Sequence, residues 1–320
     1  RARTLCHGLC GGLGQALVGQ NRRWTSREGV SQMYGDTNTP LFSHIEGWED
    51  HAVNLLFTWD PDSRMTGVVA NLACPSQEEE NEYRLSADFW HDAREEIRRR
   101  HGKHLNVLVQ CSAAGDQSPH PILRRAADAR MMKLKGRSRR QELAARIAAA
   151  VDDVAPWMAQ AIEWAPALAH RVETVALPVR SLTEKDVAEA RAEAKAWRDK
   201  YDAAKADLDR RPELRQRPKW YVEVTKAWNR MKWYEAVLRR FEQQKVQPHR
   251  EEEIHVLRLG DLAIATNPFE YYLDFGSRII ARSPAVQTFL VQLTGGGTYV
   301  PSKRSAAGGG YGSVPASNPV

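Results

Sequence analysis

The 320 residues carry 42% hydrophobic and 27% charged side chains with a formal net charge of +6, the composition of a globular chain and not of a disordered one. That positive excess is small for the length, and no apolar run approaches the roughly 18 residues needed to span a bilayer. Neither a nucleic-acid partner nor a transmembrane segment is expected, and the basic runs Arg98–Arg100 and Lys133–Arg140 read as solvated helix faces.

In chain order, residues 1–30 are rich in glycine. The run GGLGQALVG resembles a phosphate loop, but no strand clearly precedes it and no lysine follows in the required place. A bent strand or loop, in which glycine permits close backbone approach, is expected instead. Residues 31–51 mix Gly, Pro, Asn and Asp with aromatics and read as a long loop. VNLLFTWD (53–60), PDSRMTG and VVANLAC (68–74) predict a β-hairpin. Its nearly all-apolar strands require cover on both faces. A helix through FWHDAREEIRRRH follows, capped by Ser86 or Asp88 and ended by Gly102. HLNVLVQC is a further buried strand, and strand, helix, strand, turn, helix is the grammar of an α/β domain.

Residues 121–170 are predicted helical, and VETVALPV (172–179) a strand. Residues 183–245 differ in kind. Val187, Ala190, Ala194, Trp197, Tyr201, Ala204 and Leu208 recur in alternating steps of three and four, as do Trp220, Val224, Ala227, Met231, Tyr234, Leu238 and Phe241. Two heptad-patterned helices joined by a Pro-containing turn predict an antiparallel hairpin, serving as structure or as a self-association contact. EIHVLRLGDLAIATN then predicts a hairpin turning at Leu259-Gly260-Asp261. PFEYYLDFGSRIIARS predicts a helix from Pro268, and VQTFLVQL a buried strand before a glycine loop. The expected fold class is α/β with a mixed sheet. One domain over 1–182 and 246–320, incomplete at both ends, carries the 183–245 hairpin as an insertion.

Four residues lie just past strand ends, where α/β sheets place their chemistry. Ser118, in GDQSP, is either a displayed nucleophile or an ordinary turn serine; it lacks the G-x-S-x-G elbow. Glu270 can serve a helix dipole, a metal or a proton transfer. Tyr299 and Tyr311 flank a loop of small residues, and their phenols can pack, ligate or donate to an oxyanion. The histidines show no HxH or HExxH spacing. Cys6, Cys10, Cys74 and Cys111 form no CxxC pair, and Cys74 and Cys111 read as buried free thiols.

The stretches NRR (21–23), MYGDTNTPLFSHIEGWED (33–50), VVANLACPSQ, LSADFWHDAR, AAGDQSP, LRLGDLAIATNPFE and GGGTYVPSKRSAAGGGYG, in that order, resemble the neutral/alkaline, non-lysosomal ceramidases. The resemblance spans almost the whole chain except 183–245. It implies a zinc-dependent amidohydrolase acting on a small, lipid-like amide, secreted or at the cell envelope. It implies Glu270 and Tyr299 as metal ligands, with Ser118, Tyr311 and Arg22 around the scissile carbonyl. A histidine ligand of that family corresponds to Pro75 here, and its first histidine segment would precede Arg1. The family's C-terminal immunoglobulin-like domain has no counterpart in the sequence. The other reading is a binding or assembly protein on a decayed hydrolase fold that uses the hairpin.

Overall fold

The glycine-rich opening segment is a strand. The computed structural model describes residues 8–318, and within it GLCGGLGQ forms β1 (Gly8–Gln15). Cys6 lies outside the described residues. The short strands β2 (Gln20–Asn21), β3 (Arg23–Ser26), β4 (Ser31–Met33) and β5 (Phe42–Ile45) follow. The predicted hairpin is β6 (Ala52–Trp59) and β7 (Met65–Leu72), ahead of α1 (Phe89–His101) and β8 (Asn106–Cys111). Next come β9 (Gln117–Ser118), α2 (Arg125–Lys135), α3 (Arg139–Met158), β10 (Leu168–Pro178), α4 (Glu184–Arg210) and α5 (Val222–Gln243). The chain continues through β11 (His249–Leu259), β12 (Leu262–Thr266), β13 (Glu270–Tyr271), α6 (Leu273–Arg282), β14 (Gln287–Val291), β15 (Tyr299–Val300) and α7 (Lys303–Gly308).

Contacts divide these elements into two compact units. One runs to Thr174 and resumes over Glu253–Gly312; the other is Val175–Glu252 with the residues from Ser313 on. In the first unit, one sheet has the order β1-β6-β7-β8, antiparallel except for the parallel β7–β8 pair. A second sheet has the order β10-β11-β12-β14; β12 and β14, which are parallel, belong to this unit, while β10 and β11 are divided between the two. Phe57, Val68, Ala70 and Leu72 of the first sheet pack with Ile97 of α1 and Ile147 and Val151 of α3. On the other face Leu9 and Leu56 meet Leu262 and Phe289 of the second sheet. Both faces of the β6–β7 hairpin are thus covered, which is why both strands are apolar throughout.

The missing side chains of β1 set how closely these layers approach. A Cβ at Gly12 would lie 2.4 Å from Val154 of α3, and one at Gly11 2.5 Å from Leu262 of β12. Both approaches are closer than real Cβ contacts allow, so the glycines serve packing and form no phosphate loop.

The helix signals largely hold. Asp88 is the α1 cap, its carboxylate accepting from the Phe89 N–H at 2.6 Å, and Gly102 ends the helix with φ +122°. Ser138 and Gln141 form a capping box at α3, and Thr183 and Asp186 another at α4.

Three expectations need correction. Residues 31–51 are not wholly loop, because β4 and β5 pair on either side of β3 around Trp24, which is 2% exposed. The helix predicted through residue 170 ends at Met158. Beyond it, the Glu163 backbone exchanges hydrogen bonds with Leu9 at 3.0 and 2.9 Å, which commits this stretch to β1. The helix predicted from Pro268 begins instead at Leu273. Glu270 and Tyr271 first pair in parallel with Tyr299 and Val300, and the Tyr272 N–H bonds Val300 O at 3.1 Å.

In the second unit α4 and α5 pack along the predicted seam. Val187, Ala190, Ala194, Leu208, Ala227 and Met231 are buried. The Tyr201 and Trp228 rings lie 5.1 Å apart, and Arg198 pairs with Glu235. Val237, outside the heptad positions, is also fully buried, because it packs against Leu182, Ala190 and Ala316. No helix of the described residues is long and apolar enough to cross a membrane.

Candidate active site

Five residues expected to act together come from five separate segments, and the first unit gathers them. Glu270 and Tyr299 are direct partners in the β13–β15 register. The turn after β8 packs tightly against them: a Cβ at Gly115 would sit 2.6 Å from the Glu270 carbonyl oxygen, and the Gly115 N–H donates to Tyr271 O at 2.8 Å. Only glycine permits this approach. The next residue, Asp116, is 2% exposed. It accepts from the Leu273 N–H at the start of α6 at 3.0 Å and from Asn21 Nδ2 at 3.1 Å. The Gly-Asp of GDQSP is therefore a strut between the turn, β2 and α6.

Arg22 lies at the centre and is 2% exposed. Its Nη2 donates to the Tyr299 phenol oxygen at 3.1 Å and to Gly115 O at 2.8 Å, while Nη1 donates to Gln77 Oε1 at 3.0 Å. All three acceptors are neutral. The Tyr299 phenol also lies close enough to the Glu270 carboxyl to favour its charged form. Burial pushes the Glu270 carboxyl above its ordinary value, and Arg22 and Tyr299 offset only part of that shift. Burial likewise raises the Tyr299 phenol well above the usual tyrosine range despite Arg22 beside it, so this phenol keeps its proton. The Tyr311 ring stands edge-on to Tyr299 with centroids 5.4 Å apart.

Ser118 joins this group through Tyr34. The Tyr34 hydroxyl donates to Ser118 Oγ at 2.8 Å and lies near enough to Arg22 to favour its charge. The His120 backbone N–H donates to the same oxygen at 3.0 Å. Ser118 is fully buried, and both lone pairs of its oxygen are engaged. The His120 ring does not face it. Its Nε2 lies 2.7 Å from Gln77 O and its Nδ1 3.3 Å from Glu78 Oε2. A serine–histidine couple is therefore not formed. Burial raises the Glu78 carboxyl, with His120 and Arg139 pulling the other way.

Arg23, the neighbour of Arg22, builds the support behind the site. It is 1% exposed and meets Glu46 through Nε at 2.9 and 3.1 Å and Nη2 at 2.8 Å. Its Nη1 and Nη2 also donate to Tyr311 O and Gly309 O, both at 2.6 Å. Ser305 Oγ donates to Glu46. Arg23 thereby fixes the loop that carries Tyr311.

The donor set of the described residues does not fit a zinc ion. Among the described residues no three His, Cys, Asp or Glu side chains converge, whereas zinc sites use three or four protein ligands. Glu270 and Tyr299 supply two oxygens, and a guanidinium already bonds the second and repels another cation. Gln77 spends its side-chain oxygen on Arg22. Cys74 is fully buried with its thiol pushed well above the ordinary value by burial, and Cys111 is raised to about 12 for the same reason.

The class that these layers define is a mixed α/β fold similar to the ceramidases. Two solved structures carry the comparison. Neutral ceramidase from Pseudomonas aeruginosa matches with a TM-score of 0.58 and 14% identity, over 98% of this chain and 49% of that one. A ceramidase complexed with C2 matches with a TM-score of 0.57 and 13% identity, over 98% of this chain and 50% of that one. The chain thus spans about half the length of these counterparts. No family model matches the sequence, and no curated protein matches it. The resemblance drawn from the motifs is supported at the level of the fold.

Sequence reasoning missed Tyr34, Glu46, Glu78 and Arg23. Tyr34 had one signal: it precedes Gly35 in a turn, where its φ is +60°.

Proposed function

We propose that the protein hydrolyses an amide or related acyl bond in a small, lipid-like molecule, with Arg22, Ser118, Glu270, Tyr299 and Tyr311 forming the reaction centre. The observation that carries this reading is the grouping of Arg22, Tyr299 and Glu270, in which a buried cation bonds a neutral phenol whose strand partner is a carboxyl of raised pKa. Glu270 and Tyr311 are partly exposed, and Arg22, Tyr299 and Ser118 are buried. A substrate carbonyl placed at Tyr311 meets a phenol donor, with the Arg22 charge behind it. Glu270 takes a proton from the attacking water, and the negative charge on the carbonyl oxygen is met by Tyr311 and Arg22. As the tetrahedral species collapses, protonated Glu270 returns its proton to the leaving amine. Ser118 and Tyr34 hold the Arg22 side of the site in place. No step is routed through a metal, because the donor set of the described residues does not fit one.

The test is a panel of acyl amides and esters, assayed with and without chelator, on the wild type and on Glu270→Gln, Tyr311→Phe and Ser118→Ala. Turnover that survives the chelator and falls by roughly 10²–10³-fold in Glu270→Gln and Tyr311→Phe supports the reading. Undiminished turnover in both variants sinks it.

A second reading, binding or self-association through the helical hairpin, draws on Trp220, Tyr221 and Trp228, which are 38–40% exposed. Light scattering on the wild type and a Trp220→Ser/Trp228→Ser variant decides it. An unchanged, monomeric mass in both removes the self-association.

A further inference from the structure

The second unit contains a cavity of about 280 Å³ at the base of the hairpin, whose lining includes Arg180, Leu182, Arg240, Gln243, Gln247 and His249. Two of these residues are out of balance with their surroundings. Arg240 and Arg180 are both partly buried, and neither has a carboxylate within ion-pair distance among the described residues. Their donors end on main-chain oxygens: Arg180 Nη1 on Ser313 O at 2.8 Å, and Arg240 Nη2 on Pro315 O. Asp186, the acidic group that Arg180 senses, is held by the Thr183 N–H and hydroxyl in the α4 capping box, at 2.8 and 2.7 Å.

The two guanidiniums also repel each other. Burial, with Arg180 and Arg239 nearby, pulls Arg240 down to about 10, far below an ordinary arginine. Burial lowers Arg180 as well. Two desolvated cations facing one cavity are costly unless an anion joins them. Gln244 does not relieve this, because its amide is spent on the Leu182 backbone, accepting at 2.8 Å and donating at 2.9 Å. Gln243 and Gln247, on the last turn of α5 and just past it, remain exposed at the rim.

We propose that this cavity binds a phosphate monoester, with the phosphate between Arg180 and Arg240 and its organic body against Leu182 and Val179. A dianion offsets both guanidiniums at once, and the planar forks suit bidentate phosphate recognition. The amides of Gln243 and Gln247 are donors of the right kind for the remaining oxygens. The site lies within the hairpin unit and stands independently of the hydrolase reading.

The experiment is calorimetric titration of the whole chain with phenyl phosphate, with benzoate and phenol as the comparison ligands, repeated on Arg240→Gln and Arg180→Gln. Binding of phenyl phosphate, with benzoate clearly weaker and phenol silent, is expected. Each substitution is expected to weaken it about thirtyfold or more. Thermal unfolding is the second readout: phenyl phosphate raises the melting temperature of the wild type and leaves both variants unmoved. Neither variant is expected to misfold, because each removes an unmatched buried cation. Absence of binding by the wild type at millimolar ligand overturns the proposal, as does equal binding in the variants. Benzoate binding as tight as phenyl phosphate overturns the phosphate assignment.

Discussion

Arg22 and Arg23 are adjacent, equally buried and built into opposite kinds of surroundings. Arg23 is matched by a carboxylate and by two main-chain oxygens. Arg22 meets an amide, a phenol and one carbonyl, all neutral, and its Nε has no partner. The first arrangement is a closed circuit that fixes a loop. The second leaves net positive charge in a low-dielectric place, which is useful only where negative charge arrives or develops. Charge that is already neutralised supports a structure, and charge left over is available to do chemistry.

The largest effect expected from breaking this comparison is on stability. Arg23→Met strands the Glu46 carboxylate and should cost about 3–5 kcal/mol in urea unfolding. Adding Glu46→Leu to that variant should recover much of the loss, since the pair is then replaced and no longer broken. Arg22→Met should cost less stability than Arg23→Met and lower amide turnover by roughly 10²–10³-fold. Equal destabilisation by the two single variants would show that the contrast is not energetic.

Acid offers a subtler test. Burial alone would raise the Glu46 carboxyl, but the Arg23 hydrogen bonds and charge more than offset this and hold it below the ordinary range. The folded state therefore binds this proton less tightly than the unfolded chain. Its stabilisation is complete above the unfolded value of about 4.3 and fades as pH falls through the folded one. Glu270 has the opposite sign. Its raised folded value favours the protonated form, so its contribution is greatest below about pH 4.3 and lost as pH rises through the folded value. Stability measured against pH should flatten at the acid end in Glu46→Gln, and Glu270→Gln should be as stable as the wild type or more so at neutral pH. The smallest effect is expected from Tyr34→Phe, which removes one donor to Ser118 and should cost about 1 kcal/mol by thermal unfolding.

How much of this was legible depends on the length of the signal. The β6–β7 hairpin, the α1 caps at Asp88 and Gly102, and the α4–α5 seam each repeat a pattern over several residues, and they fold as read. The β13–β15 pair is two residues long and parallel, with its partners far apart in sequence. No periodicity announces such a pair: the local pattern points to a helix start near Glu270, and only the family resemblance, which implies both as ligands of one metal, puts Glu270 beside Tyr299. The grouping of Ser118, Glu270, Tyr299 and Tyr311 came from strand ends and from resemblance to a family. The motif order could not say that Arg22 faces Tyr299 while Arg23 faces Glu46. Consecutive residues of an extended chain point to opposite sides, and which side is which is decided by tertiary packing. Asp116 was likewise hidden: in GDQSP the serine draws attention, whereas the aspartate makes the connection to α6.

The thin strand at the start of the chain carries a last consequence. With almost no side-chain depth of its own at Gly11 and Gly12, β1 acts as a spacer of minimum thickness between α3 and β12. A spacer can be thickened but not thinned. Every substitution at these two positions therefore pushes in one direction, prising a helix from one face and a strand from the other. The tolerance of this segment to sequence drift should be lopsided: generous at exposed Leu13, and narrower one residue earlier.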